Sequence, residues 1–364
     1  MIRLLIVDDS ALMRKVMGKI FADEQEFDLR FARDGAEALA EIARDKPDVV
    51  TLDVQMPGMD GLTCLDRIMV EAPVPVVMVS SLTASGAEIA LEALRRGAVD
   101  VAAKPKALSL GIEAMGAELK AKIRGAAGAK LRLSLRLRER VRHRIGALEA
   151  AKPVQPDQPI RAAPMHGRGP AGRGPPGLVL VGTSTGGPPA LEALLTGLPG
   201  NFPWPVLVAQ HMPAGFTGAL ARRLDQICAL SVLEVAGPEV LKPGFVYIGR
   251  GDADMVVARQ AEGLVAMAVA AQPEHLWHPN ADRLVQSARL VMAPERLIGV
   301  LMTGMGNDGA AAMAALREAG GRTIAEAEET AAVWGMPGEL VRAGGAEFVL
   351  PLGEIARRLR TLLV

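Results

Sequence analysis

The chain opens on a short unbroken apolar run, residues 2–7 (IRLLIV), that stops at two acids. Such a run reads as a parallel strand buried on both faces. Comparable runs recur at Asp48–Leu52, Pro75–Val79 and Ala98–Ala102, with amphipathic stretches such as Ala36–Arg44 and Ala87–Arg96 between them. Alternation of strands and helices at this spacing predicts a doubly wound, flavodoxin-like α/β domain over residues 1–120. A second α/β series begins at Leu178 with LVLVG and a Gly-rich turn. It continues through PPALEALL, whose prolines suit a helix start, then VLVAQ, GALARRLDQI, VYIG and LIGVLMT, and predicts a doubly wound parallel-sheet domain over 178–364.

The segment between them has a different pattern. Lys120 to Arg144 is dense in Lys and Arg, and Leu133, Leu137, Val141 and Ile145 share one helical face, so a basic amphipathic helix is expected, with a strand as the alternative for LRLSLRLR. From Lys152 to Gly177 the chain is rich in Pro and Gly and cannot build a core. Residues 121–177 therefore read as a basic and Pro/Gly-rich linker.

Charge sharpens this division. A formal net charge of zero hides 12 basic against 18 acidic residues in 1–105, 15 against 5 in 106–177, and 14 against 18 in 178–364. A basic segment between two acidic bodies suits a bridge between them or an anionic partner, and argues against nucleic-acid binding by the whole protein. The two cysteines, Cys64 and Cys228, are far apart and have no metal-ligand spacing, which fits a reducing compartment. No apolar run is long enough for a membrane span, and the N-terminus does not read as a signal peptide, so a cytoplasmic protein with no direct membrane insertion is expected.

Residues at the carboxyl ends of neighbouring parallel strands converge in one crevice. Asp8 and Asp9 end the first strand and Asp53 the third, inside LDVQMPGMDG; Ser80 and Lys104 end the next two. Three carboxylates there would repel one another unless a hard divalent cation, naturally Mg²⁺, joined them. The set resembles the two-component response-regulator receiver. By that resemblance Asp53 is the phospho-acceptor. Asp8, Asp9, Asp53 and the main-chain carbonyl of Gln55 bind Mg²⁺, and Ser80 and Lys104 contact the phosphoryl group. Val101 stands where many receivers carry a Tyr or Phe.

In the second domain, Gly182-Thr183-Ser184-Thr185-Gly186 fits the Gly-x-Ser-x-Gly nucleophile elbow between a strand and a helix. Small flanking residues would let Ser184 occupy a tight, strained turn, with the Thr185 main-chain N–H facing a developing oxyanion. Of five histidines, His211 follows the strand PVLVAQ and shares the sheet edge of Ser184; His143 and His166 fall in the linker, and His275 and His278 flank Trp277 in a loop. Asp308, in LMTGMGNDGAA, is the candidate orienting acid. A rival reading takes Gly304–Gly309 as a Gly-x-Gly-x-x-Gly dinucleotide loop with Glu326 or Glu328 downstream, but Asp308 would set a negative charge where a pyrophosphate approaches.

GTSTGGPPAL, AQHMPAGFT and LMTGMGNDGA together resemble the CheB family of chemotaxis protein-glutamate methylesterases, and a receiver and linker ahead of them complete its architecture. The resemblance implies a serine hydrolase in which Ser184 attacks, His211 is the base, Asp308 orients it, and Thr185 and Met305 donate main-chain N–H groups to the oxyanion. It implies glutamyl methyl esters on the cytoplasmic helices of chemoreceptors as substrate, with deamidation of receptor glutamines at the same site and no cofactor for ester hydrolysis. A CheA-type histidine kinase would be the phosphodonor, and Asp53 phosphorylation would relieve occlusion of the cleft. Departures are PNAD at Pro279–Asp282, Ala325-Glu326-Ala327-Glu328, and Thr183 before the serine; Trp334-Gly335-Met336-Pro337 fits the family's loop. A phosphorylation-dependent binding protein with an inactive hydrolase domain is the alternative, opposed by the intact triad.

Overall fold

The computed structural model describes residues 1–22, 24–81, 83–104, 112–131 and 176–363. The expected basic helix beyond residue 131 and nearly all of the Pro/Gly-rich stretch lie outside them. Five strands, β1 (Ile2–Val7), β2 (Phe27–Ala32), β3 (Val49–Asp53), β4 (Val76–Ser80) and β5 (Asp100–Ala103), form an all-parallel sheet in the order β2-β1-β3-β4-β5. β3 and β4 are buried along their whole length, as their mostly apolar runs require. β2 (FDLRFA) sits at an edge and alternates polar with apolar residues.

The helices around this sheet start where the chain supplies a cap. Ser10, Asp34, Asp60 and Thr83 each accept a first-turn N–H, at 3.3, 2.8, 2.7 and 3.1 Å, and begin α1 (Ala11–Phe21), α2 (Gly35–Arg44), α3 (Gly61–Glu71) and α4 (Ala84–Arg95). The fifth, α5 (Ile112–Ala127), continues past the boundary expected at residue 120.

The second sheet has seven parallel strands in the order β15-β14-β13-β6-β7-β10-β8. Its centre is β6 (Leu178–Thr183), buried throughout, between β13 (Leu297–Leu301) and β7 (Val206–Gln210). Toward one edge lie β14 (Arg322–Glu326) and β15 (Phe348–Leu350), and toward the other β10 (Phe245–Gly249) and β8 (Ser231–Val235). Flanking helices are α6 (Gly187–Thr196), α7 (Phe216–Ile227), α8 (Ala281–Val291), α9 (Ala310–Glu318), α10 (Met336–Arg342) and α11 (Leu352–Leu362). A separate antiparallel ribbon of β11 (Ala253–Gln260), β12 (Gly263–Ala270) and β9 (Glu239–Val240) packs beside α8. The two sheets are joined across α4, which packs along α7. No helix among the described residues is long and apolar enough to cross a membrane.

Candidate active site and phospho-acceptor site

Chain reversal places the important side chains. β6 pairs with β7 on one side and with β13 on the other, so the order of strands reverses at β6, where a crevice opens beyond the carboxyl ends. Ser184 follows β6, His211 follows β7 and Asp308 lies in the turn after β13. All three are buried, at 2, 1 and 7 % exposure. The main chain ties them together: His211 N–H donates to Thr183 O at 3.0 Å, and Ser184 N–H donates to Thr303 O at 2.9 Å.

The imidazole is oriented through its outer nitrogen. His211 Nε2 lies 2.7 Å from Asp308 Oδ2, while Nδ1 is buried and has no partner among the described residues. Asp308 also accepts the N–H groups of Ala281 (2.7 Å, to Oδ2) and Asp282 (2.9 Å, to Oδ1) at the start of α8. Burial pushes its carboxyl up, but the bond from His211 and these two N–H groups outweigh it and hold the acid below its ordinary range. An ionised Asp308 fixes the proton on Nε2 and leaves the Nδ1 lone pair free as a base.

Ser184 differs from expectation in one respect. Among the described residues none other than glycine has positive φ, so the serine is not itself strained. The sharp part of the turn is Gly186, at φ +78°, which begins α6 with no side-chain cap. Gly215 and Gly309 start α7 and α9 in the same way, without a side-chain cap, and in α9 the Asp282 carboxylate instead accepts the first-turn N–H of Ala312 at 2.8 Å. Among the described residues neither the Thr185 nor the Met305 N–H meets an acceptor, which leaves both available to an oxyanion. A Cβ on Gly304 would come within 2.8 Å of Ser184 Cβ, so only glycine lets this strand end pass the serine.

Two of the sequence departures have local explanations. Asn280 of the PNAD turn caps α8, its Oδ1 accepting from Arg283 N–H at 2.9 Å. Glu326 is buried and accepts the Thr303 N–H at 2.8 Å, bracing the residue whose carbonyl holds Ser184. Trp334, half-buried, donates Nε1–H to Glu326 O at 2.8 Å. With Asp308 and Glu326 so engaged, neither is positioned as a dinucleotide loop would need.

In the first sheet, carboxylate oxygens of Asp8, Asp9 and Asp53 lie within 4.8 Å of one another. Lys104 Nζ bridges Asp53 (2.7 Å) and Asp8 (3.0 Å). Burial pushes the Asp53 carboxyl above its ordinary value against the pull of Lys104, with Asp8 adding to the rise. One ammonium facing three acids leaves uncompensated negative charge on hard oxygen donors, a set that fits Mg²⁺. Gln55 belongs to the same turn, its N–H 3.4 Å from Asp53 Oδ1. Ser80 is buried and its hydroxyl donates to Gly86 O at 3.2 Å, so here it is engaged by the start of α4.

Several residues at the site were not singled out in the sequence. Trp277 stacks on His211, ring centroids 5.6 Å apart and planes 8° from parallel. Asp100 at the start of β5 accepts from Thr185 Oγ1 at 2.5 Å, Val99 O accepts the Gly186 N–H at 3.1 Å, and Lys122 Nζ of α5 lies 6.0 Å from the Trp277 ring. The only sequence signal for Trp277 was its place between two histidines.

A family model described as CheB methylesterase matches residues 179–359, and one described as response regulator receiver domain matches residues 4–115. Protein-glutamate methylesterase/protein-glutamine glutaminase 2 of Rhodopseudomonas palustris (strain BisB18) is 57% identical, covering 98% of this chain and 96% of the relative. Protein-glutamate methylesterase/protein-glutamine glutaminase 3 of Rhodospirillum rubrum is 49% identical, covering 99% and 95%. The crystal structure of the Thermotoga maritima CheB methylesterase catalytic domain is similar at 38% identity over 51% of this chain and 98% of that one, with a TM-score of 0.49.

Proposed function

The chain belongs to the CheB methylesterase family, with a receiver domain ahead of the catalytic part, and on that premise we propose that it is a receiver-controlled protein-glutamate methylesterase and protein-glutamine glutaminase acting on chemoreceptors in the cytoplasm. The observation that carries the chemistry is the buried His211, tied to Asp308 through Nε2, with Nδ1 unpartnered among the described residues, at the end of the strand beside the one that Ser184 follows. Ser184 Oγ adds to the ester carbonyl and His211 Nδ1 takes its proton. The Thr185 and Met305 N–H groups stabilise the oxyanion. His211 then protonates the departing methanol, and water activated by the same nitrogen cleaves the acyl-enzyme to a glutamate. A glutamine side chain takes the same path with loss of ammonia.

Control is proposed to come from occlusion. Asp100, Val99 and Lys122 reach Thr185, Gly186 and Trp277, and a Cβ on Gly125 of α5 would lie 2.6 Å from Met305 Sδ. These contacts cover the strand ends where a receptor helix would have to lie. Mg²⁺ held by Asp8, Asp9, Asp53 and the Gln55 carbonyl would offset the negative charge of the acids and an incoming phosphoryl group. The Asp53 carboxylate accepts the phosphoryl group from the phosphohistidine of a CheA-type kinase, whose histidine is released, with Lys104 and Ser80 contacting the product. Mass spectrometry of purified methylated receptor after incubation with the protein tests the activity: loss of methyl groups that depends on Ser184 supports it, and unchanged receptor overturns it.

A further inference from the structure

The segment from Gln272 to Asp282 contributes no member of the triad, yet it touches two of them. Asp254, in β11, is buried and holds this segment at several points. It accepts from His278 Nδ1 (2.8 Å), the Asn280 N–H (2.8 Å), Arg283 Nη1 (2.6 Å) and the Gln272 N–H (3.4 Å). One carboxylate thus secures both ends of the loop and the first turn of α8. From this anchored segment Ala281 and Asp282 donate to Asp308, and Trp277 lies flat on His211.

We propose that Asp254 and Trp277 are positioning residues for the catalytic pair, with Asp254 fixing the loop through which Trp277 holds the plane of the His211 ring and α8 holds Asp308. The proposal rests on the triad reading given above. An imidazole bound to an acid through Nε2 alone can still pivot about that bond. A parallel indole against its face removes this freedom and holds the Nδ1 lone pair in one direction. The indole face also suits the imidazolium that forms when His211 takes the proton. Neither residue reaches the reacting atoms, so their loss would fall on the chemical step rather than on substrate binding.

The test uses the full-length chain, treated with acetyl phosphate and Mg²⁺, and methanol release from a methyl-esterified chemoreceptor fragment. Trp277→Leu and Asp254→Asn each lower kcat by about ten- to a hundredfold with KM within about twofold, whereas Trp277→Phe, which keeps a flat ring, stays within about threefold. Parental kcat in both Trp277→Leu and Asp254→Asn, or a change confined to KM, overturns the proposal. If Asp254→Asn does not fold, the Leu and Phe pair at Trp277 decides alone. A second readout needs no turnover. In a Ser184→Ala background, the emission assigned to Trp277 by difference from Trp277→Phe is expected to change when His211→Gln removes the ring stacked on it. Trp277 emission that is unchanged by His211→Gln overturns the contact. Near-parental hydrolysis by Ser184→Ala would instead sink the triad reading and leave the emission result standing.

Discussion

Asp100 and Thr185, 85 positions apart in the chain, share a buried hydrogen bond of 2.5 Å between carboxylate and hydroxyl. The other Asp100 oxygen is 3.1 Å from Lys122 Nζ, itself 2 % exposed. A buried ammonium, its counter-ion and the residue after Ser184 therefore form one unit across the two sheets. Removing one partner from such a pair leaves an uncompensated charge that costs about 3–5 kcal/mol while it stays buried.

Asp100→Ala is accordingly expected to favour separation of the receiver from the cleft. The unphosphorylated full-length variant should release methanol about 5- to 150-fold faster than its parent and gain little more on phosphorylation. Gly125→Leu attacks the same interface at Met305 and should behave alike. Chain lacking residues 1–175 should also outperform unphosphorylated full-length protein. Basal rates unchanged by all three alterations would remove the occlusion model.

Loss of the nucleophile should be more damaging than loss of the orienting acid. Ser184→Ala and His211→Ala are expected to lower kcat by on the order of 10⁶, and Asp308→Asn by on the order of 10⁴, in folded protein. Single-turnover methanol release measures this, and a well-folded Ser184→Ala enzyme at near-parental rate would exclude Ser184.

Acetyl phosphate with Mg²⁺ should add one phosphoryl group, absent in Asp53→Ala, as read by intact mass. Because burial raises the Asp53 carboxyl, the nucleophilic carboxylate should be lost at a higher pH than for an ordinary aspartate. The same shift means that ionised Asp53 disfavours the fold. Asp53→Asn should therefore raise Tm at neutral pH without Mg²⁺, and the gain should shrink as pH falls through the raised pKa.

Asp254 has the opposite sign. Burial works against ionisation, but hydrogen bonds from His278, Arg283 and Asn280 prevail and bring its carboxyl to about 2. Its ionised form stabilises the fold above the ordinary value of 3.8, and that contribution fades as pH falls towards 2. The Tm deficit of Asp254→Asn should be full at pH 6 and shrink across that acid window. His278, raised chiefly by its bond to Asp254, contributes below its ordinary 6.5 and loses its share as pH rises through the higher folded value. A deficit independent of pH would show that charge is not what anchors the loop.

Much of this was legible in the chain because a parallel strand covered on both faces has to be a continuous apolar run. The residue that ends such a run emerges at the carboxyl edge whatever the order of the strands, which made Asp8, Asp53, Ser184 and His211 readable one by one. Strand order was not readable. Leu301 pairs with Gly182 across about 120 residues, and only that pairing brings Asp308 to His211. The choice of ring nitrogen, the Trp277 stack and the Asp254 anchor likewise depend on which surfaces meet, since an acid in β11 has no periodic relation to a loop some 20 positions later. Asp100 and Lys122 look like an ordinary strand-end acid and a helix lysine until the second sheet lies against them. Local pattern fixes what each residue can offer and which edge it occupies; long-range packing decides which offers meet, because buried polar groups must find their partners in space rather than along the chain.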